Sequence, residues 1–293
     1  MPLHRTILYQ SSDLLTLRHV GCCPADKRPG EVEQAEADSI VLPLRGAFVQ
    51  HFSPREQVLA EPNQALLFAA GRPFRISHPV AGDDCLAVQP SPAVWHEVLS
   101  ATVGADGLGS RGLGTHGLLT APAMAARHLL WRRLERGLAD SLEAEESGLA
   151  LVAAALHAAR RARREDRPRR RAERSRRSEQ VEAARIALLT EPEKRWTLGD
   201  LARRVYSSPY HLAHAFREEV GVPVHQYQQR TRIARAVDLL LETDRDLTVI
   251  ALDLGFASHS HFTSVFRQMT GAPPTSFRAK SRKILIAPPA APR

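Results

Sequence analysis

The sequence predicts an α+β multidomain protein. Its front half reads as a β-sandwich or small barrel followed by a helical hairpin, and its back half as an all-α domain of two helix-turn-helix modules joined by a linker helix. Three observations carry this. Short apolar runs broken by turn residues fill the first hundred residues. Apolar residues then recur at three- and four-residue spacing from Ala121 onward. Finally, one residue pattern occurs twice between Thr197 and Arg278.

In the front region, Ser39-Ile-Val-Leu-Pro-Leu-Arg-Gly-Ala-Phe-Val-Gln reads as two strands around Arg45-Gly46. Leu14–Leu17, Gln57–Ala60, Ala65–Phe68, Phe74–Ile76 and Cys85–Val88 read as further strands, separated by Pro62-Asn63, Gly71-Arg-Pro and Gly82-Asp-Asp. Closely spaced short strands of this kind build sandwiches and barrels. Ser91-Pro92 then offers an N-cap and a first-turn proline for a helix carrying Val94, Trp95, Val98 and Leu99. The predicted β domain is 1–100.

A metal site of the barrel-enzyme kind needs several histidines and a carboxylate on neighbouring strands. No strand carries a His-x-His pair, and His51 and His78 stand alone. Both are expected to be surface or hydrogen-bonded residues. Cys22-Cys23 has thiolates suited to soft metals, but it has no Cys-x-x-Cys partner. Buried or incidental cysteine is the expected reading. The sequence therefore predicts no metal, no cofactor and no catalytic residue, and an enclosure able to hold a small ligand whose effector-binding residues it does not identify.

Residues 101–164 read as a glycine-rich loop, Gly104 to Gly117, and a helical hairpin. Met124, His128, Leu129, Trp131, Leu134 and Leu138 set the first helix; Leu149, Val152, Ala153, Leu156 and Ala159 set the second, from about Glu145 to Arg164. Its Ala/Leu face is expected to pack on the β domain or to meet a second subunit. Residues 165–177, dense in arginine and holding Pro168, read as a linker.

The repeat lies in 178–282. Its first copy contains Leu201-Ala202, Leu212, Phe216, Arg217, Gly221, Pro223 and Tyr227; its second contains Ile250-Ala251, Phe262, Phe266, Arg267, Gly271, Pro273 and Phe277. Two copies are too few for a solenoid. Each reads as a helix, a tight turn and a second helix, at about 197–220 and 248–270. Ahead of them, Ser178 caps a helix with Val181, Ile186 and Leu189 inward. Leu198, Leu201, Ala202 and Val205 form the next inner face, and Leu212, Ala215 and Phe216 the one after. A long helix from Val224 to Leu241 joins the modules. Val249, Ile250, Ala251 and Leu254, then Phe262, Val265 and Phe266, face inward in the second copy. The second turn, at Gly255-Phe256, carries one extra residue. A last helix runs from Pro274 to about Lys280, and 283–293 is expected to fray.

Charge separates the halves. Residues 1–157 carry a net −4, 158–177 a net +8 and 178–293 a net +4. An acidic front and a basic back imply that the back half meets a polyanion. No run approaches 18 apolar residues, so no membrane span is expected. The start, Met-Pro-Leu-His-Arg, lacks an apolar signal region. Three cysteines fit a reducing cytoplasm.

With Leu201-Ala202, Ser208, Leu212, Phe216, Gly221, Pro223, Tyr227, Arg232, Ala236, Leu240, Ile250-Ala251, Gly255-Phe256, Ser258, Phe262, Phe266, Gly271, Pro273-Pro274 and Phe277-Arg278 in order, residues 178–282 resemble the DNA-binding domain of AraC/XylS-type transcriptional regulators. The front half resembles that family's cupin-like sensors through Phe74-Arg-Ile-Ser-His-Pro and Gly82-Asp-Asp-Cys. The resemblance implies seven helices in the back domain, with its third and sixth entering successive major grooves of double-stranded DNA. It also implies a small-molecule effector and contact with RNA polymerase; a homodimer is a separate expectation, from the hairpin face. The residues placed on the outward faces are Ser208, Pro209, Tyr210, Ala213, His214 and Arg217 in the first copy, and Ser258, His259, Ser260, Thr263, Ser264 and Arg267 in the second. Ala213 and His214 stand where long polar base readers are common in the family. Arg217 and Arg267 follow the core phenylalanines and suit phosphates. His259-Ser-His261 does not suit a metal, since helix positions two apart diverge by about 200°. The rival readings are an architectural DNA-binding protein and a cupin-like enzyme fused to a DNA-binding domain.

Overall fold

A computed structural model describes residues 3–11, 13–24, 27–53, 56–80, 82–103, 114–165 and 171–286. The chain divides into two compact units: Met1–Arg163 with Ser281–Arg293, and Arg164–Lys280.

In the first unit the strands are β1 (Leu3–Gln10), β2 (Leu15–Cys22), β3 (Glu33–Gln34), β4 (Ser39–Gly46), β5 (Phe48–Ser53), β6 (Glu56–Ala60), β7 (Gln64–Phe68), β8 (Pro73–Ser77), β9 (Asp83–Pro90) and β10 (His116–Leu118). They form a six-stranded sheet in the order β1-β2-β9-β4-β7-β10 and a four-stranded sheet in the order β3-β8-β5-β6. Phe48, Val58 and Ala60 from the smaller sheet pack with Leu66 and Cys85 from the larger. Two antiparallel sheets sharing one apolar layer make a sandwich, as expected.

β1 and β10 depart from the sequence reading. β1 is an edge strand whose described residues are exposed or half-buried, so no burial pattern marks it. β10 lies in the stretch expected to be loop, whose residues 104–113 fall outside the described ones. Its Gly117 is required by packing: a Cβ there would stand 2.2 Å from the Ala158 backbone.

Helices α1 (Pro92–Val103), α2 (Ala121–Glu135) and α3 (Ser141–Glu165) complete the unit. Ser91 Oγ accepts from the Val94 amide at 3.3 Å, the cap expected for α1. α3 starts at Ser141, ahead of the expected Glu145, because Asp140 caps it by accepting from the Glu143 amide at 2.8 Å. Of the hairpin's expected Ala/Leu face, Val152, Leu156 and Ala159 are buried and Leu149 and Ala153 half-buried; Leu151, Ala155 and Ala158 are buried beside them. A Cβ at Gly148 would meet Leu15 and Leu17 of β2. Packing of the hairpin on the β domain is observed.

His51 is hydrogen-bonded, with Nε2 2.7 Å from Ser77 Oγ. His78 is no surface residue: it is buried, and its Nε2 lies 2.7 Å from Asp83 Oδ1. Cys22 is buried and Cys23 exposed, as alternation along an extended chain requires.

The second unit is helical: α4 (Arg171–Thr190), α5 (Leu198–Arg204), α6 (Pro209–Val220), α7 (Val224–Glu242), α8 (Leu247–Asp253), α9 (His259–Thr270) and α10 (Pro274–Ile286), the last running past Lys280. α4 begins within the stretch read as a linker. Its inner face is Val181, Ala184, Ala187 and Leu188; Ile186 and Leu189 are half-buried. The chain prefers to bury the small alanines, which let α5 and α6 approach closely. Leu198 and Val249, expected inside, are exposed. Both lie in the first turn of a seven-residue helix that buries only two residues, Leu201-Ala202 or Ile250-Ala251. α10 continues to Ile286 with Leu285 buried, so the expected fraying does not begin at 283.

Candidate nucleic-acid interface

Each module is assembled from the same parts. In the first, Thr197 Oγ1 accepts from the Asp200 amide at 3.0 Å to open α5, and Ser208 Oγ accepts from the His211 amide at 3.2 Å to open α6. In the second, Asp246 accepts from the Thr248 amide at 2.7 Å to open α8, and Ser258 accepts from the His261 amide at 3.1 Å to open α9. These side chains satisfy donors that a helix start leaves open. The amides on Asp246 hold its carboxyl below the usual carboxylate range. Both second helices end alike: Gly221 and Gly271 adopt left-handed φ of 79° and 83°, and donate to the Arg217 and Arg267 carbonyls.

The two turns share a conformation but not a residue. Tyr206 has φ 53° and Gly255 has φ 77°, at corresponding positions one after Val205 and Leu254. Tyr206 is 87% exposed, so its ring meets no obstacle. At Gly255 a Cβ would come within 2.0 Å of the Glu193 carbonyl. Glycine is obligatory in the second turn for space as well as conformation.

The cores hold the paired helices in place. Phe216 is fully buried and meets the Tyr227 ring edge-on at 5.2 Å. In the second module Phe256, Phe262, Phe266 and Phe277 form a chain of rings with successive spacings of 5.2, 5.6 and 5.4 Å. α7 serves both modules. Tyr227 joins the first core, while Ile233, Ala236, Val237 and Leu240 are buried further along. Arg232, also buried, donates from Nε to the Pro192 carbonyl at 2.7 Å, from Nη2 to Lys194 at 3.0 Å and from Nη1 to Gly255 at 3.0 Å. Burial pushes its guanidinium down from its ordinary value. The role of Arg232 is not apparent from its place in the sequence, since its three acceptors lie on two separate loops.

With these faces spoken for, the outward sets stand as follows. On α6, Ser208, Pro209, Tyr210, His214 and Arg217 are exposed and Ala213 is half-buried. The Tyr210 and His214 rings stack at 6.2 Å. His214 is more constrained than a free reader: Arg177 donates to its Nδ1 at 3.1 Å, Glu218 lies 3.3 Å from the same atom, and Arg177 also pairs with Glu218. On α9, Ser258, Ser260, Ser264 and Arg267 are exposed, while His259 and Thr263 are half-buried. His259, Ser260, Thr263, Ser264 and Arg267, with Gln268 and Gly271, line one open concavity. Gln268, absent from the expected set, is the longest neutral polar side chain on that face; its spacing of four from Ser264 marks it.

Two capped two-helix modules, fixed on one connecting helix and each presenting a polar, partly basic face, define a bipartite helix-turn-helix DNA-binding domain. Residues 201–280 match the sequence family described as a helix-turn-helix domain. The same region is similar to the arabinose operon regulatory protein of Salmonella typhimurium, 32% identical over 87 residues, covering 30% of this chain and 31% of that protein. It is also similar to the bifunctional transcriptional activator/DNA repair enzyme AdaA of Bacillus subtilis, 32% identical over 89 residues, covering 30% of this chain and 42% of that protein. Among solved structures, an AraC-type transcriptional regulator from Chromobacterium violaceum aligns at 27% identity over 35% of this chain and 91% of that one, with a TM-score of 0.34. Residues 201–280 are thus an AraC-type helix-turn-helix domain, as the repeat led us to expect. The chain matches less than half the length of the curated relatives. No helix among the described residues is long and apolar enough to cross a membrane.

Proposed function

We propose that this chain is a sequence-specific, DNA-binding transcriptional regulator, an activator, controlled by a small-molecule effector held in its cupin-like N-terminal unit. The observation that carries the reading is the pair of modules sharing α7 and the Arg232 clasp. α7 has 19 residues and so extends about 28 Å. That length suits a spacer between recognition helices that enter successive major grooves about 34 Å apart.

In this reading α6 and α9 are the recognition helices. Tyr210, His214, Ser260, Ser264 and Gln268 read base edges, with Ser208, Pro209, Ala213, Ser258, His259 and Thr263 completing the contact surface. Arg217 and Arg267 hold phosphates, which set register without reading sequence. The two outward faces share Ser208/Ser258 and Arg217/Arg267 but differ at Pro209/His259, Tyr210/Ser260, Ala213/Thr263 and His214/Ser264, so one subunit reads an asymmetric target. The arginine-rich stretch 165–177 adds salt-dependent, non-specific attraction.

Effector binding shifts how the two units, or two copies of the chain, are arranged on DNA. The proposed partners are double-stranded DNA, the effector, RNA polymerase and a second copy of the chain, in the cytoplasm. The half-buried Leu149 and Ala153 of the hairpin face are the surface proposed to meet the second copy. The chain is read as a non-enzyme.

Footprinting of the purified protein across genomic fragments tests this. Discrete sites, each with two protected patches about one turn apart, support it. Uniform coverage of all fragments contradicts it and favours an architectural role.

A further inference from the structure

The sandwich holds a second cluster of chemically capable side chains. Cys22 ends β2, Asp83 opens β9, and the two are directly paired across the antiparallel ladder, so both project from the same face of the larger sheet. His78 follows β8 of the smaller sheet. The cysteine sulfur, a histidine nitrogen and a carboxylate oxygen all lie within 4.8 Å of one another. Cys22, His78 and Asp83 are exposed by only 7%, 1% and 8%.

The hydrogen bonding of this cluster is incomplete. Cys85 Sγ donates to Asp83 Oδ2 at 3.1 Å, which fixes the carboxylate. Asp83 Oδ1 then faces His78 Nε2 at 2.7 Å, but off the direction a hydrogen bond needs, and neither Asp83 Oδ1 nor His78 Nδ1 has a hydrogen-bond partner. Buried polar atoms are rarely left so, and a buried carboxylate needs a compensating positive charge.

We propose that Cys22, His78 and Asp83 form a binding site for a divalent transition-metal ion of the zinc class. One sulfur, one imidazole nitrogen and one carboxylate oxygen suit such an ion better than calcium or magnesium, which take oxygen ligands. Ligand distances of about 2.0–2.3 Å in a tetrahedron set ligand–ligand edges of about 3.3–3.7 Å. The three ligand atoms, now within 4.8 Å of one another, would have to rotate to this spacing on binding, with solvent at the fourth position. Cys22 binds as thiolate, its proton passing to solvent, and Cys85 orients Asp83 from behind. The sequence does not show the site, because its ligands come from three segments without a common spacing. The inference is independent of the DNA-binding reading, and its test uses no DNA.

The test is metal uptake by the full chain, stripped with a chelator and then titrated with Zn²⁺ against a chromophoric competitor. One zinc per chain is expected. Cys22→Ser and His78→Gln should each weaken uptake at least tenfold, while Cys23→Ser, at the exposed neighbour, should bind as the unsubstituted chain does. Co²⁺ in place of zinc should give a sulfur-to-cobalt charge-transfer band that Cys22→Ser abolishes. No zinc uptake by the unsubstituted chain, or equal uptake by Cys22→Ser and His78→Gln, overturns the proposal. If the Cys22 and His78 variants fail to fold, the cobalt spectrum of Cys23→Ser, which removes the exposed thiol, decides: a thiolate band supports the site and its absence overturns it.

Discussion

Arg232 donates to the carbonyl of Gly255 at 3.0 Å, across the gap between the connecting helix and the turn of the second module. The same guanidinium holds Pro192 and Lys194 ahead of the first module. One side chain therefore ties the loop ahead of the first module and the turn of the second to α7. Arg232→Met leaves three carbonyls without their charged donor, and should destabilise the helical unit by on the order of 3 kcal/mol. Arg232→Lys keeps the charge but lacks the planar fork that spans three acceptors, and should recover only part of the loss. Chemical unfolding followed by helical circular dichroism measures both.

The two left-handed turn residues should respond in opposite senses. Gly255→Ala drives a methyl into the Glu193 carbonyl and adds backbone strain of about 1–2 kcal/mol, so it should lower the unfolding midpoint clearly. Tyr206→Gly relieves the same strain at an 87% exposed site, and should be neutral or slightly stabilising. Thermal unfolding of the pair separates them, and equal losses would refute the assignment.

Phe216→Ala and Phe266→Ala each empty a fully buried site. Each should cost about 3–5 kcal/mol and unfold its own module. Full thermal stability in either variant would refute the assignment of inward and outward faces.

Binding should divide by residue role. His214→Ala should leave stability nearly intact and weaken binding to the native site, because the residue is exposed and its Arg177 and Glu218 partners retain each other. Arg217→Ala should weaken all sequences alike and reduce the slope of log affinity against log salt by about 1. Titrations of specific and unrelated duplexes at several salt concentrations distinguish the two; unchanged affinity in His214→Ala would remove it from the reading set.

The helical unit is legible in the sequence because its signals are local and doubled. Ser208 and Ser258 cap the second helices as expected, and Phe216 and Phe266 sit inside. What escaped depends on contacts distant in sequence. Val249 looks like core beside Ile250, yet a seven-residue helix has room to bury only two residues. β1 hides because an edge strand with little burial carries no alternation. His78 looks solitary until β2 and β9 bring Cys22 and Asp83 beside it. Arg232 is marked by position within the repeat, but its clasp exists only once two loops fold against α7.

In the proposed function α7 fixes two recognition helices at one spacing. Inserting about five base pairs, half a turn, between the two protected patches of a bound site tests it most directly. Affinity should fall to the level of a site with one patch destroyed, with partial recovery when about ten are inserted only if α7 bends. Undiminished binding to the half-turn insertion would contradict it.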